Sequence, residues 1–179
     1  FVAVVVGAVV LVAARSASWA RVGQTAMQPL ALPLATLAAV GAMSGSLYYS
    51  EVAGFDPCRL CWIQRGFMYP AAVVLLAAIA CSGSTRRRLA WTAFALAAGG
   101  LAVSIYHRLE QQFPDSVGGA CALDNPCSGR WVNTFGFITI PTMAAAAFLL
   151  VLVFVPMAMR SPAPSPVSDP AKEVHHDLV

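Results

Sequence analysis

Four apolar segments, each close to the length of a membrane span, constrain this chain more than any other feature of its sequence. The segments are Leu30 to Tyr49, Ile63 to Cys81, Leu89 to Tyr106 and Phe135 to Met159. A helix needs about 20 predominantly apolar residues to cross the hydrocarbon core of a bilayer. Backbone groups in lipid must be satisfied within the spanning segment, and no segment has the alternation of a barrel strand. The sequence therefore predicts an all-α membrane protein, a four-helix transmembrane bundle.

The composition limits what else the chain can contain. Of its 179 residues, 59% are hydrophobic and only 11% are charged, whereas soluble domains carry about 25% charged residues. The spans use up most of the chain, so we expect no separate soluble domain. No basic patch interleaves with exposed aromatic residues, and nucleic acid is therefore not an expected partner.

The two ends of the chain differ from the central part. Residues Phe1 to Ala14 are almost entirely apolar, and we interpret them as part of a truncated additional span, with a signal-like segment as the alternative. Residues 1–28 would then comprise this segment and a cytoplasmic linker, and residues 29–159 the four-helix domain. Residues 160–179 are rich in proline and polar residues, which predicts a disordered cytoplasmic tail.

The distribution of positive charge predicts the orientation of the bundle. If the four spans alternate, seven of the eleven basic residues fall on one side, namely Arg15, Arg21, Arg86, Arg87, Arg88, Arg160 and Lys172. Cytoplasmic loops carry an excess of Lys and Arg, so this side is predicted to be cytoplasmic. The loops 50–62 and 107–134 then face outward, and they hold four of the five cysteines in an oxidising compartment.

The first cysteine pair is a Cys-x-x-Cys motif at the outer mouth of the second span. Pro57 precedes Cys58 and Cys61, and a long apolar run follows. The cysteines are therefore predicted at the first helical turn, where the helix dipole stabilises an anion and lowers the pKa of a thiol. Arg65 follows Cys61 by four residues and should lie on the same helical face. An ordinary interfacial arginine is the alternative interpretation of Arg65.

The second pair, Cys121 and Cys127, lies in the longer outward loop. Two outward pairs allow structural disulfides, a four-thiolate zinc site or a thiol–disulfide relay. We favour the relay, because a Cys-x-x-Cys bridge gains little chain entropy and this spacing is typical of redox centres. We expect no metal. Cys81 lies alone at the cytoplasmic end of the second span and is interpreted as a small buried apolar residue.

Several motifs together resemble the disulfide bond formation protein B family of DsbB type, and within it the shorter BdbC-like members of bacteria. The resemblance covers roughly residues 30–155. It rests on the Pro57 to Arg65 segment, Tyr106-His107-Arg108, the Cys121 and Cys127 pair, and the Gly136 to Pro141 segment.

The resemblance implies a disulfide-generating enzyme in the bacterial inner membrane, with both cysteine pairs extracytoplasmic. Its partner would be a DsbA-like thioredoxin-fold thiol oxidase, and its electron acceptor a membrane quinone, either menaquinone or ubiquinone. The implied disulfides are Cys58–Cys61 and Cys121–Cys127. By motif position Cys121 would form the mixed disulfide with the partner, and Cys127 would exchange with Cys58.

The resemblance also implies quinone-binding residues. Cys61 would face the quinone, with Arg65 beside it. His107 lies near the position where the family can carry a histidine by the quinone ring, and an interface histidine without that role is the alternative.

Three other functions remain open at this point. A vitamin K epoxide reductase-like oxidase is disfavoured, because there the Cys-x-x-Cys follows the loop pair, whereas here it precedes it. A membrane scaffold or chaperone subunit with structural disulfides would have unreactive cysteines and no quinone. A reductase could run the same relay backwards, since the potentials of partner and quinone set the direction of electron flow.

Overall fold

Four long helices make up the computed structural model, which describes residues 19–114, 127, 132 and 138–160, with side chains from residue 27 onwards. In chain order the helices are α1 (Trp19–Leu47), α2 (Arg59–Ala80), α3 (Gly83–Gln112) and α4 (Ile140–Met159). A π-helical turn, Tyr48–Val52, extends α1. All four are long and apolar enough to cross a membrane. The predicted all-α membrane bundle is confirmed.

The helix boundaries differ from the predicted spans, and α3 (Gly83–Gln112) extends beyond its predicted span at both ends. Helix α1 begins at Trp19 and contains Pro29 and Pro33, so the expected linker before residue 29 is helical from Trp19 onwards. Prolines are tolerated in membrane helices because neighbouring groups satisfy the freed carbonyls. Helix α4 begins only at Ile140, where a proline occupies the first turn and suits a helix start. The predicted extra span at residues 1–14 and the predicted tail after residue 160 lie outside the described residues.

The helices form a closed ring. Helix α1 packs against α2, α2 against α3, α3 against α4 and α4 against α1, with little direct contact between α2 and α4. The α2–α3 connection is very short. Gly83 there has a φ of 60°, a left-handed conformation that favours glycine. Successive helices therefore run in opposite directions.

Small residues dominate the centre of the bundle. Ala39, Ala72, Ala93 and Ala97 are fully buried, and such residues let helix backbones approach closely in a membrane. Gly100 of α3 lies against the ring of Phe148, where even a Cβ atom would overlap the ring. Large apolar side chains point outward instead, where lipid would cover them, as for Leu37, Val73, Leu76, Leu150 and Val153.

The two ends of the bundle carry different chemistry. The start of α2, the end of α3 and the start of α4 lie at one end. The connection between α2 and α3, with Cys81 and the arginines 86–88, lies at the other. Cys81 is a free, half-buried thiol. Those predicted site residues that the structure describes, namely Cys58, Cys61, Arg65, His107 and Cys127, therefore gather at one end of the bundle.

Candidate functional site

Cys58 and Cys61 form a close pair at the start of α2. Cys58 is the N-cap residue with extended backbone, and Cys61 lies in the first turn, three residues on and on the same face. Their Sγ atoms are 3.1 Å apart, and both thiols are free. The structure therefore presents the pair in its dithiol form. The Cys58–Cys61 disulfide, which belongs to the oxidised state, stays a prediction.

The surroundings of Cys58 favour its thiolate. The hydrogen bond between the Cys58 and Cys61 side chains, together with His107, lowers the pKa of Cys58 from 9.0 to about 4, although burial opposes the shift. The Nε2 atom of His107 lies 3.7 Å from the Cys58 sulfur. Cys58 also sits at the positive end of the α2 dipole, which stabilises an anion there. At neutral pH this thiol is ionised and therefore reactive.

His107 links the two cysteine regions. Its side chain is only 2% exposed, and its Nε2 atom lies 3.1 Å from the carbonyl oxygen of Cys127. A carbonyl oxygen can only accept a hydrogen bond, so Nε2 carries the proton and donates it. The other ring nitrogen, Nδ1, is buried and has no hydrogen-bond partner. His107 therefore holds the backbone of Cys127 close to the Cys58 sulfur.

Cys127 is buried against the first pair. It is disulfide-bonded and 1% exposed, and it packs with Cys58 and Leu60 in one cluster. Its predicted bonding partner, Cys121, lies outside the described residues. The fold therefore brings a disulfide sulfur from the long loop next to the thiol at the N-terminus of α2.

A cavity of about 280 Å³ opens on the other side of the pair. Residues from α1, α2 and α4 line it, with none from α3 among the described residues. Its polar lining includes Cys61, Gln64, Arg65 and Tyr69, and its apolar walls include Met68, Met143 and Phe148. The Tyr69 hydroxyl is buried there without a hydrogen-bond partner. Cys61 thus faces a mostly apolar space of about the size of a small-ligand site.

Arg65 is held in place at the cavity wall. Its Nε and Nη2 atoms donate hydrogen bonds to the hydroxyl and the carbonyl oxygen of Ser46 on α1, both at 2.9 Å. Its guanidinium carbon lies 5.0 Å from the centre of the Trp62 ring, within the range of a cation–π contact. Ser46 occupies two of the five N–H donors. The sequence correctly placed Arg65 on the same side as Cys61, but no sequence signal identified Ser46.

The predicted quinone-binding role of His107, with an interface histidine as the alternative, stays a prediction. His107 is not among the residues that line the cavity described above, to which α3 contributes no wall. It contacts the Cys58 sulfur and the Cys127 carbonyl instead. Its position supports a role in thiol chemistry rather than direct contact with a ligand in this cavity.

Two polar residues on α3, Ser104 and Glu110, were not predicted as site residues. Ser104 accepts a hydrogen bond of 2.9 Å from Gln64 of α2, and Glu110 is 4% exposed. Ser104, His107 and Glu110 recur every three residues in a helix that is otherwise mainly apolar. That spacing places them on one face, and a polar face in a membrane helix is a signal of function that could have been read from the sequence.

Three side chains could together hold a soft metal ion. The ligand atoms of Cys58, Cys61 and His107 all lie within 4.8 Å of one another, and thiolate and imidazole are ligands for zinc and similar ions. Zinc sites in proteins have four ligands in most structural cases. Our expectation that the site works without a metal stays a prediction.

Comparison with known proteins identifies similar sequences. The sequence model of the family described as "Disulfide bond formation protein DsbB" matches residues 26–158. Disulfide bond formation protein C of Bacillus subtilis (strain 168) is 46% identical over 114 residues, which are 63% of this chain and 80% of that protein. A probable disulfide formation protein C of Bacillus cereus (strain ATCC 14579) is 39% identical over 132 residues, 73% of this chain and 93% of that protein. No solved structure matches the chain.

Proposed function

Because the chain belongs to the disulfide bond formation protein DsbB family, we propose that it is a membrane thiol:quinone oxidoreductase. It reoxidises a DsbA-like thioredoxin-fold partner and passes the electrons to a membrane quinone. The relatives named for disulfide formation support the first part of this proposal. The electron acceptor and the partner are those that membership of the family implies.

One observation carries the proposal: the Cys58–Cys61 pair has a different neighbour on each side. Cys58 packs against the disulfide-bonded Cys127, while Cys61 lines the apolar cavity. A structural disulfide needs no such arrangement. A relay needs it, because electrons must enter through one sulfur and leave through the other.

The thiol steps follow from this arrangement. A partner thiolate attacks the loop disulfide at Cys121, forms a mixed disulfide there and releases Cys127 as a thiolate. Cys127 then attacks the Cys58 sulfur of the oxidised Cys58–Cys61 pair. A Cys58–Cys127 bond forms, the Cys58–Cys61 bond breaks, and the electron pair leaves on Cys61. Cys61 thus becomes a thiolate at the cavity wall.

The residues of the cavity fit a quinone headgroup. Ligand sites of this class are mostly apolar, with a few placed polar groups, and here Arg65 and the unpartnered Tyr69 hydroxyl supply donors among apolar walls. A bound quinone supplies a two-electron, two-proton acceptor next to Cys61. Arg65 provides a fixed positive charge, and the apolar walls exclude water from the Cys61 thiolate.

Such an acceptor is needed for turnover. A DsbA-like partner has a reduction potential of about −120 mV and is already strongly oxidising. Each 30 mV of uphill two-electron transfer costs about 1.4 kcal/mol. Exchange among protein cysteines alone would come to equilibrium and stop. An electron acceptor beyond Cys61 allows thiol exchange to continue.

The charges at the two ends support an extracytoplasmic site. The arginines 86–88 lie at the end of the bundle opposite Cys58 and His107. Because positive loops face the cytoplasm, the cysteine end faces the oxidising compartment, in the cell membrane of a bacterium. A thiol oxidase needs that side, where the reduced partner is found.

The test is quinol formation by the purified protein, supplied with a reduced thioredoxin-fold thiol oxidase and followed by the absorbance of the quinone. We expect Cys61→Ser to abolish quinol formation, and Arg65→Ala to slow it at least tenfold. Cys81→Ser, a free thiol at the opposite end, is the matched control and should retain full activity. Absence of electron transfer in the wild type, with its cysteines unreactive, would instead indicate a structural membrane protein.

A further inference from the structure

Gln64 is a buried polar side chain of α2 that the thiol steps do not use. It is 5% exposed and lies three residues after Cys61, on the same face of the helix. Both side chains line the cavity between α1, α2 and α4. Burying an amide costs free energy unless its polar atoms are hydrogen-bonded. The partners of its nitrogen and its oxygen therefore indicate what Gln64 does.

A chain of two hydrogen bonds fixes the orientation of the Gln64 amide. The Ser104 hydroxyl of α3, which is fully buried, donates to the carbonyl oxygen of Gly100 at 2.8 Å. A hydroxyl has a single proton to donate, so Ser104 can only accept from Gln64. The Gln64 Nε2 atom donates that hydrogen bond at 2.9 Å. The amide therefore turns its nitrogen towards α3, and it cannot exchange its nitrogen and oxygen without losing this bond.

The amide oxygen Oε1 is left for the cavity. No described residue of α3 lines the cavity, so the nitrogen, which points at Ser104, is not the atom that faces it. Within the part of the chain that the structure describes, no hydrogen bond goes to Gln64 Oε1. Other polar groups at the wall differ, because Arg65 offers only donors, the Tyr69 hydroxyl can donate or accept, and Asp56 is exposed. Gln64 Oε1 is thus a fixed group that can only accept a hydrogen bond.

An acceptor of this kind distinguishes the two redox forms of a quinone ring. The oxidised ring carries carbonyl oxygens, which only accept hydrogen bonds, whereas the reduced ring carries hydroxyls, which also donate. Gln64 Oε1 therefore gains a hydrogen-bond partner when quinol is bound and meets no donor when quinone is bound. We propose that Gln64 is a specificity-determining residue that makes the cavity prefer quinol, a role that rests on the proposed thiol:quinone reaction. Arg65, by contrast, can donate to the oxygens of both forms.

This preference assists the reaction at Cys61. Over one turnover two thiols become a disulfide, and their two electrons and two protons convert one quinone to quinol. A binding site shifts such an equilibrium only by the difference between its affinities for the two forms. A hydrogen bond that forms with quinol alone therefore favours the transfer of electrons from Cys61 to the ring. It raises the reduction potential of the bound ring by about 30 mV for each tenfold difference in affinity.

The test measures the dissociation constants of a short-chain quinone and of its quinol by calorimetry in detergent micelles. The probe is menaquinone or ubiquinone, whichever the wild type binds more tightly. Quinone is titrated into the disulfide form of the full-length protein and quinol into its dithiol form, so that no electron transfer accompanies binding. Gln64→Met removes the acceptor and keeps the length of the side chain. We expect the Kd for quinol to rise about fivefold, the equivalent of one net hydrogen bond, and the Kd for quinone to stay unchanged.

Two further variants complete the test. Gln112→Met replaces an exposed glutamine at the end of α3 and should change neither Kd. Ser104→Ala keeps Gln64 but removes the partner of its nitrogen, and it covers the case in which Gln64→Met does not fold. The freed amide can then offer its nitrogen to a quinone oxygen, so we expect the preference for quinol over quinone to fall.

The outcomes separate this inference from the proposed function. Equal changes in both Kd values in Gln64→Met, or no change in either, would overturn the inference. An unchanged ratio of the two Kd values in Ser104→Ala would do the same where Gln64→Met is unfolded. A wild-type protein that binds neither quinone nor quinol would instead refute the proposed function, and this inference with it.

Discussion

At the scale of single residues, the site depends on how the neighbours of one sulfur are arranged. Cys58 has the Cys61 thiol, the His107 ring and the helix N-terminus around it. All three favour negative charge, and together they outweigh the burial of the sulfur. Cys58 is thereby suited to be a leaving group in thiol exchange.

The pH dependence of Cys58 follows from its lowered pKa. Because the pKa is about 4, the thiolate is fully formed above roughly pH 6 and is lost as the pH falls through the pKa. We expect the alkylation rate of Cys58 in the dithiol form to be flat from neutral to alkaline pH. His107→Gln removes one cause of the lowered Cys58 pKa, so the acid limb of the Cys58 alkylation profile should move to higher pH in this variant. Peptide mass spectrometry measures both profiles, and an unmoved limb in His107→Gln would contradict the assignment.

The buried Tyr69 hydroxyl leads to a separate prediction about quinone binding. It is buried at the cavity without a partner, so a quinone oxygen could accept its hydrogen bond. Tyr69→Phe should raise the KM for the quinone about fivefold, the equivalent of one net hydrogen bond of about 1 kcal/mol, and leave kcat little changed. Tyr48→Phe is the control, since that ring is exposed and does not line the cavity. Equal KM values for both variants would exclude Tyr69 as a ligand contact.

At the scale of helices, small residues set the distance between neighbours. The buried alanines of α1, α2 and α3 leave room for only a few large side chains in the core, of which Phe148 is the largest fully buried one. Its ring sits against Gly100, so α3 and α4 meet at a point that admits no side chain. This close contact fixes α3, and with it His107 and Glu110.

Two glycines provide a matched test of this packing. Gly100→Ala would place a methyl group against the Phe148 ring, and overpacking of this kind costs about 1–3 kcal/mol. Gly66→Ala meets nothing within 4 Å and should stabilise its helix by about 0.5–1 kcal/mol. Unfolding in mixed micelles, titrated with a denaturing detergent, compares the two. Equal unfolding midpoints for the two variants would mean that the α3–α4 contact leaves room for a methyl group at Gly100.

The sequence predicts the helices, but it does not predict how they pack around the site. Apolar length predicted the four helices, but α1 starts at Trp19 because polar residues before the apolar run continue the helix. Helical spacing placed Arg65 on the side of Cys61, which depends only on local geometry. The contacts of His107 with Cys58 and Cys127 depend on how α3 and the long loop pack, and local patterns in the sequence carry no information on that.

At the scale of the whole molecule, the ring of four helices gives the Cys58–Cys61 pair two different surroundings. On one side the pair meets the loop disulfide and His107. On the other side the cavity between α1, α2 and α4 begins at Cys61. The bundle thus separates a region for thiol exchange from a region suited to an apolar electron acceptor, and the two cysteines lie between them.

The central claim is that a disulfide passes between Cys127 and Cys58, and it can be tested directly in Cys61→Ser. There Cys58 is a thiolate beside the Cys127 disulfide, and exchange needs no outside oxidant. The protein is quenched with acid, its free thiols are blocked, and it is digested without reductant. We expect a pair of peptides joined by a disulfide between Cys58 and Cys127. Cys81, which should carry the blocking group, is the internal control. A fully blocked Cys58, with Cys127 still in its original disulfide, would contradict the relay.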